Sequence, residues 1–310
     1  MLLPLNEIEG LLRCPRSGTP LVRDGEAYAS VDGGHRYALR DGFPVLVDFD
    51  ASVLSPDDVR TSSATSLVVR DRYAGVGRLA KRLVAPPKRS TARNVEAIGE
   101  LLAERDSPRV LVVGGGLVGA GMAPFYASPD IGIVAFDIYG SDCTQLVADG
   151  HAIPLADESF DLVVVQAVLE HVLSPRRVVD ECHRVLKRDG LVYAETPFMQ
   201  QVHEGPYDFT RFSDSGHRYL FRRFEVLRSG ASGGPGLALM GAIDYFARSL
   251  FRSRGAGKAA KLAFFWLAYL DALIPEPYAI DAANGVFLLG RKAAAEIAPA
   301  DVIAYYQGAE

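Results

Sequence analysis

Four apolar runs of strand length recur through the middle of the chain, Arg109–Gly115 (RVLVVGG), Ile131–Asp137 (IGIVAFD), Phe160–Gln166 (FDLVVVQ) and Gly190–Thr196 (GLVYAET). Each is followed by helix-compatible or loop sequence. Continuous apolar strands alternating with helical stretches predict a parallel, doubly wound α/β sheet over residues 94–229. Before it, residues 1–50 carry shorter alternating runs divided by Asp-Gly and Gly-Gly pairs (TPLVRDGEAYASVDGGHRYALRDGFPVLVDF), the pattern of a small β-rich module. Residues 51–93 turn Ser/Thr-rich and then basic, and Pro86 and Pro87 interrupt any helix there, so a partly helical linker is expected. After the sheet, residues 230–283 are rich in Ala, Leu and Phe and predict a helical lid or insertion, followed by a last strand at GVFLLGRK (Gly285–Lys292).

The runs LALMGAIDYFARSLF and KAAKLAFFWLAYLDALI in that insertion are apolar over much of their circumference but broken by Asp244, Arg248, Lys258, Lys261 and Asp271. Neither reaches the ~20 residues that a membrane span needs. A lid or a homodimer contact is expected, with peripheral membrane contact the sharper alternative. The chain of 310 residues has a formal net charge of −5, which supplies no general basic field for a nucleic acid and favours smaller partners. Cys14, Cys143 and Cys182 are odd in number and far apart, the usage of a reducing compartment and by default the cytoplasm. The amino terminus lacks a basic stretch and has Glu7 and Glu9 early, unlike a signal peptide.

The glycines raise the chemical question. Gly114, Gly116 and Gly119 follow the first long strand as G-x-G-x-x-G, and Asp137 ends the next strand about 20 residues on. That spacing suits a ligand containing adenosine, with a carboxylate for ribose hydroxyls and a helix amino terminus for a pyrophosphate. Gln166 ends the Phe160–Gln166 strand, on the edge where such sheets place ligand-facing groups.

The following segments separate the candidates. Asp149-Gly150-His151, Ile153-Pro154-Leu155, Asp157-Glu158-Ser159-Phe160-Asp161, Leu169-Glu170-His171-Val172 and Arg184-Val185-Leu186-Lys187-Arg188-Asp189-Gly190 occur in that order. On these motifs residues 107–229 resemble the class I S-adenosylmethionine-dependent methyltransferases, in particular their small-molecule branch. The resemblance implies that Gly114, Gly115 and Gly116 wrap the methionine part of S-adenosyl-L-methionine, that Asp137 and Ile138 hold the ribose, and that Asp149, Gly150 and His151 recognise the adenine. Two positions depart from the pattern: Val112 stands where the family often has an acidic residue, and Asp189-Gly190 replaces a Gly-Gly turn.

Residues 11–47 resemble the small zinc-ribbon-like module that activates tRNA and protein methyltransferases. Only Cys14 offers a thiol there, and tetrahedral zinc needs four ligands, so no metal is expected. The unit would rest on packing of Leu21, Val22, Tyr37, Phe43, Val45 and Val47.

The stretch PFMQQVHEGPYDFTRFS, Pro197 to Ser213, follows the Gly190–Thr196 strand at the edge where an acceptor must approach. It resembles a His-x-x-Pro-x-Asp-Phe-x-Arg-Phe segment of part of the methyltransferase branch. His203 is the first candidate for the base, since an imidazole titrates near neutrality, and His171 is the reserve. Asp208 and Arg211 either hold acceptor hydroxyls or brace the loop as an ion pair; His35, His183 and His217 are assigned nothing. The expected activity is methyl transfer to an oxygen of a small molecule or glycan. The alternatives are a cofactor-binding protein that activates a partner and a methyltransferase acting on tRNA or protein; a nicotinamide oxidoreductase would leave the 157–172 motifs without a role.

Overall fold

The computed structural model describes residues 1–61 and 89–310, so most of the expected linker, 62–88, lies outside the described residues. The strands are β1 (Leu21–Asp24), β2 (Ala27–Ser30), β3 (Arg36–Arg40), β4 (Phe43–Leu46), β5 (Arg109–Val113), β6 (Gly132–Asp137), β7 (Leu146–Ala148), β8 (Phe160–Gln166), β9 (Leu186–Pro197), β10 (Phe224–Gly233) and β11 (Gly285–Lys292). The helices are α1 (Leu5–Ile8), α2 (Arg89–Ala103), α3 (Ala123–Ala127), α4 (Pro175–Val185), α5 (Asp214–Leu220), α6 (Pro235–Leu250), α7 (Arg254–Ala263), α8 (Leu267–Leu270), α9 (Glu276–Asp281) and α10 (Pro299–Ala304). Helix α2 begins ahead of the expected boundary at residue 94.

One sheet runs in the order β1-β2-β3-β4-β7-β6-β5-β8-β9-β11-β10. Strands β4, β7, β6, β5, β8 and β9 are parallel neighbours. The architecture is the expected doubly wound α/β sheet, but it is mixed: β11 inserts antiparallel between β9 and β10. Strand β10 runs on to Gly233, so the helical insertion starts later than residue 230.

Alternation along the strands builds the two layers. Leu111, Val113, Val163 and Val165 face one side with Val178, Val179 and Cys182 of α4; Val110, Val112, Leu162 and Val164 face the other with Val95, Ile98 and Leu102 of α2. The amino-terminal strands share this core: Leu21, Tyr28, Tyr37 and Leu46 pack in the first layer, and β4 extends the sheet beside β7. Val22, expected in the packing, points to solvent because the rest of β1 past Leu21 is exposed.

Several family-like motifs turn out to be ties at the amino ends of the strands. Asp161 accepts from the Arg109 backbone N–H at 2.9 Å and from Lys187 Nζ at 2.8 Å, joining β5, β8 and β9. Arg184 donates to Glu181, Asp157 and the carbonyls of Ile153 and Leu155. Charge-assisted bonds of this kind fix register where the chain enters the sheet.

Helix α5 holds two buried groups with opposite pH behaviour. Burial pushes His217 down to about 3 and Asp214 up to about 6, against a lowering hydrogen bond from Tyr305. Below ~6.5 the unfolded chain takes up a His217 proton that the native state refuses, so this contribution to stability is lost as pH falls toward about 3. Asp214 stays protonated in the native state up to about 6 but ionises in the unfolded chain above ~3.9, so stability is gained as pH falls between those values. The two offset each other between roughly pH 6 and 4. Asp214→Asn is expected to lose about 1.4 kcal/mol more stability per pH unit than the unsubstituted chain in that window, measured by urea unfolding at stepped pH; parallel profiles would contradict the assignment.

Candidate functional site

Strand order reverses beside β5: β6 and β7 lie on one side of it, β8 and β9 on the other. In open α/β sheets this switch point opens a crevice at the carboxyl ends of the strands. A cavity of about 380 Å³ lies there, lined among others by Gly114, Gly119, Gln166, Glu170, Glu195 and His203.

The loop after β5 is shaped for close approach. Gly114 has φ +71° and a Cβ there would sit 2.4 Å from Val168 Cγ2. Gly115 N–H donates to the Phe136 carbonyl at 2.9 Å, and Gly116 N–H donates to Asp137 Oδ2 at 2.8 Å. The other Asp137 oxygen accepts from Ile138 N–H at 2.7 Å. The expected helix at these glycines is absent: the chain stays in loop until the five-residue α3 starts at Ala123. Among the described residues no helix amino terminus follows these glycines to face a pyrophosphate, and the nicotinamide reading loses its main physical support.

The expected adenine loop lies outside this cavity lining. Asp149 Oδ1 accepts from His151 N–H at 2.9 Å and faces His151 Nδ1 at 2.6 Å, while Oδ2 accepts from the Ser52 hydroxyl. Burial works to raise this carboxyl, but the His151 and Ser52 bonds outweigh it and hold it below the usual range. The His151 ring is also engaged, accepting from Ser174 N–H at 3.1 Å. Gly150 packs on Val178, where a Cβ would sit 3.3 Å from Cγ1.

Across the cavity, Glu170 and His171 belong to a short 3-10 turn, Leu169–His171, rather than a full helix. Glu170 is 1% exposed. His171 Nδ1 donates to the Tyr207 carbonyl at 2.7 Å, which leaves Nε2 as an acceptor 3.7 Å from Glu170 Oε1. Burial lowers the His171 pKa, opposed by the Tyr207 bond, so this ring is neutral at neutral pH.

His203 stands edge-on to His171, ring centres 5.0 Å apart. Its Nδ1 faces two acceptors, the Gln201 carbonyl at 3.3 Å and Asp208 Oδ2 at 3.4 Å. The proton belongs on Nδ1, and Nε2 carries the lone pair. Asp208 also accepts from His203 N–H at 2.8 Å and from both terminal nitrogens of Arg211. Burial works to raise the Asp208 carboxyl; the Arg211 guanidinium and the His203 amide outweigh it and hold it well below the carboxylate range. With its side chain 1% exposed, Asp208 braces the loop and His203. Arg211 is consumed by the same brace, donating also to the carbonyls of Gln200, Gln201 and Thr210. Glu170, His171 and His203 bring one ligand atom each within 4.8 Å of one another, a spacing that a divalent cation could bridge.

Glu195 was not singled out from the sequence. It is buried at the carboxyl end of β9, lines the cavity, and accepts from Thr91 Oγ1 at 2.7 Å and from Tyr193. Burial and Glu195 itself push the Tyr193 phenol up, so it stays a donor. The available signal was an acidic residue closing an otherwise apolar strand, LVYAET. Gln166 Oε1 and Thr196 Oγ1, both on cavity-lining residues, are buried without a hydrogen-bond partner.

Residues 133–194, from β6 to within β9, match the family described as a methyltransferase domain. The matched segment holds Asp137, the 149–172 motifs and the Arg184 tie. A 47-residue stretch is 38% identical to an uncharacterized protein of Methanocaldococcus jannaschii, covering 15% of this chain and 23% of that protein; the match spans under a quarter of the relative's length. Similar solved structures include phosphoethanolamine N-methyltransferase 2 of Haemonchus contortus in complex with S-adenosyl-L-methionine (14% identity, 72% of this chain and 58% of that chain, TM-score 0.43). Another is 1,6-didemethyltoxoflavin-N1-methyltransferase of Burkholderia thailandensis (14% identity, 73% and 94%, TM-score 0.39). At these identities and scores the two structures carry no argument about an acceptor.

The backbone of the glycine loop gives a direct check. Gly114→Ala, forced into a left-handed conformation against Val168, is expected to destabilise the protein by about 1–3 kcal/mol in thermal or urea unfolding. An unchanged midpoint would show that the loop is not constrained as described.

Proposed function

We propose that the protein is an S-adenosyl-L-methionine-dependent methyltransferase whose acceptor is an oxygen of a small molecule or glycan. One observation carries the choice of cofactor: among the described residues, the cavity at the switch point is lined by two acidic side chains, Glu170 and Glu195, and by no lysine or arginine. Such a lining favours a cationic ligand and disfavours a pyrophosphate. A sulfonium with an ammonium tail fits it, and the unpartnered Gln166 Oε1 and Thr196 Oγ1 are acceptors suited to that tail. Glu195 supplies the negative charge that Val112 does not. Gly114, Gly115 and Gly116 let the backbone approach, and Asp137 with the Ile138 amide marks the ribose side. The bonds from Asp149 to Ser52 and His151 must be shared or exchanged for the adenine to use that carboxylate.

When bound, the cofactor supplies a methyl group on a positively charged sulfur, displaced in line. The chain's own part is alignment and proton removal. His203 Nε2 accepts the hydroxyl proton of the acceptor as its oxygen forms the new bond to carbon. Asp208 is a positioning residue: its charge holds the His203 Nδ1–H side and steadies the imidazolium. Neutral His171 fixes the edge of the His203 ring.

The three-residue grouping of Glu170, His171 and His203 favours a second reading, in which a divalent cation bridges them and lowers the pKa of the acceptor hydroxyl. Transfer of a labelled methyl group to metabolite pools, with and without chelator, separates the two: the base mechanism predicts no loss on chelation.

His203→Ala is expected to reduce turnover roughly 10²- to 10⁴-fold while cofactor affinity stays near its original value; unchanged turnover would clear His203 of the role. Asp137→Ala is expected to weaken cofactor binding by ~1–3 kcal/mol, measured by calorimetry, and an unchanged affinity would remove the ribose assignment.

A further inference from the structure

Helix α6 carries more apolar surface than the core takes up. Gly236, Met240, Asp244 and Ala247 recur at helical spacing and are buried. On the adjoining side, roughly 100° round the helix, Leu239, Phe246 and Leu250 recur and are 51–69% exposed. A surface helix of a globular protein turns its apolar stripe to the core, and here part of that stripe stands in solvent. Phe251, Trp266 and Leu273 of the same insertion are exposed as well.

This face is built as one unit. A Cβ on Gly236 would sit 2.1 Å from the Leu267 carbonyl, and one on Gly257 would sit 2.2 Å from Asp244 Oδ1. Glycine at these two positions lets α7 and α8 close onto α6. The charge of the segment is as one-sided as its hydropathy. Residues 245–270 contain Arg248, Arg252, Arg254, Lys258 and Lys261 and no acidic residue, in a chain whose net charge is −5.

We propose that this face docks on an anionic phospholipid bilayer, lying in the interface with its aromatic and aliphatic side chains in the headgroup boundary. Exposed Phe, Trp and Leu beside several basic residues are the composition of an interfacial surface. Among the described residues no helix is long and apolar enough to cross a membrane, so docking is peripheral. A second copy of the chain is the poorer occupant. A two-fold contact sets the same patch against itself and brings its basic residues, of which Arg248 is paired with Asp244, against the same residues of the other copy.

The face adjoins the candidate site. Tyr245 on α6 donates to the Val202 carbonyl, and a Cβ on Gly241 would sit 3.0 Å from Gln201 Oε1. The loop carrying His203 thus leans on the docking helix. A bilayer-held amphiphile is the acceptor class that this arrangement serves; that extension rests on the reading of the 197–213 loop as the acceptor side, whereas docking itself does not.

Trp266 is the sole tryptophan, so its emission reports on this face alone. The full chain is mixed with vesicles of phosphatidylcholine and with vesicles in which a quarter of the lipid is phosphatidylglycerol, and both Trp266 emission and co-sedimentation are read. The expected result is a blue shift and co-sedimentation with the anionic vesicles, weakened by added salt. Lys258→Glu with Lys261→Glu, and separately Phe246→Ser with Phe251→Ser, are each expected to weaken binding by at least about tenfold. Unchanged melting temperature shows that these variants fold. Two results would overturn the proposal: no emission change or co-sedimentation with either lipid, or a blue shift that needs no vesicle and grows with protein concentration alongside a dimer mass in light scattering. Methyl transfer is not read in this assay, so a failure of docking and a failure of the functional reading remain distinct.

Discussion

The reversal of strand order beside β5 is the constraint on which the rest of the structure depends. Two parallel strands that leave their chain connections in opposite directions open a crevice that no connecting helix covers. Everything with chemical character here is delivered to that crevice by a strand end: the glycine loop by β5, Asp137 by β6, Gln166 and the Glu170–His171 turn by β8, Glu195 and the His203 loop by β9. The opposite strand ends carry the compensating ties, Asp161 with Arg109 and Lys187, and Arg184 with Glu181 and Asp157. Fixing register at one end of a strand positions side chains at the other, because successive residues cannot slip without turning every side chain to the wrong face.

Charge then selects what the crevice can hold. A pyrophosphate is ordinarily met by a helix amino terminus and backbone N–H groups. Here the glycine loop opens into more loop, one of its N–H groups is spent on Asp137, and the walls contribute carboxylates. Among the described residues the same G-x-G-x-x-G spelling thus stands beside acidic side chains rather than at a helix amino terminus. Glu195 shows how such a carboxylate survives burial: Thr91 and Tyr193 donate to it, so the charge is kept solvated by protein groups while still facing the cavity.

The sheet was legible because long apolar strands carry a strong signal: β5, β6 and β8 fall within the runs that predicted them, and β9 extends past its run at both ends. The antiparallel insertion of β11 was not, since nothing in GVFLLGRK specifies which neighbours it takes. The motif order from Asp149 to Gly190 carried the resemblance to class I methyltransferases, and several of its residues also hold the scaffold: Asp161 ties β5, β8 and β9, Arg184 ties α4 to the 153–157 loop, and Asp149 caps a 3-10 turn held by Ser52. A motif records that a residue is needed without saying whether substrate or scaffold needs it. Asp208 and Arg211 illustrate this, since their three-residue spacing suits an ion pair as well as an acceptor contact, and the structure shows the ion pair. Glu195 and the docking face were missed or left open for a shared reason. Both depend on which side of an element faces protein, and a segment apolar all round does not reveal that.

The most direct test of this account is a calorimetric titration of the full chain with S-adenosyl-L-methionine and, separately, with a nicotinamide dinucleotide, repeated on Glu195→Gln. The account predicts binding of S-adenosyl-L-methionine, no binding of the dinucleotide, and a weaker interaction with the former once the Glu195 charge is removed. Binding of the dinucleotide with no response to S-adenosyl-L-methionine or its demethylated product would contradict it.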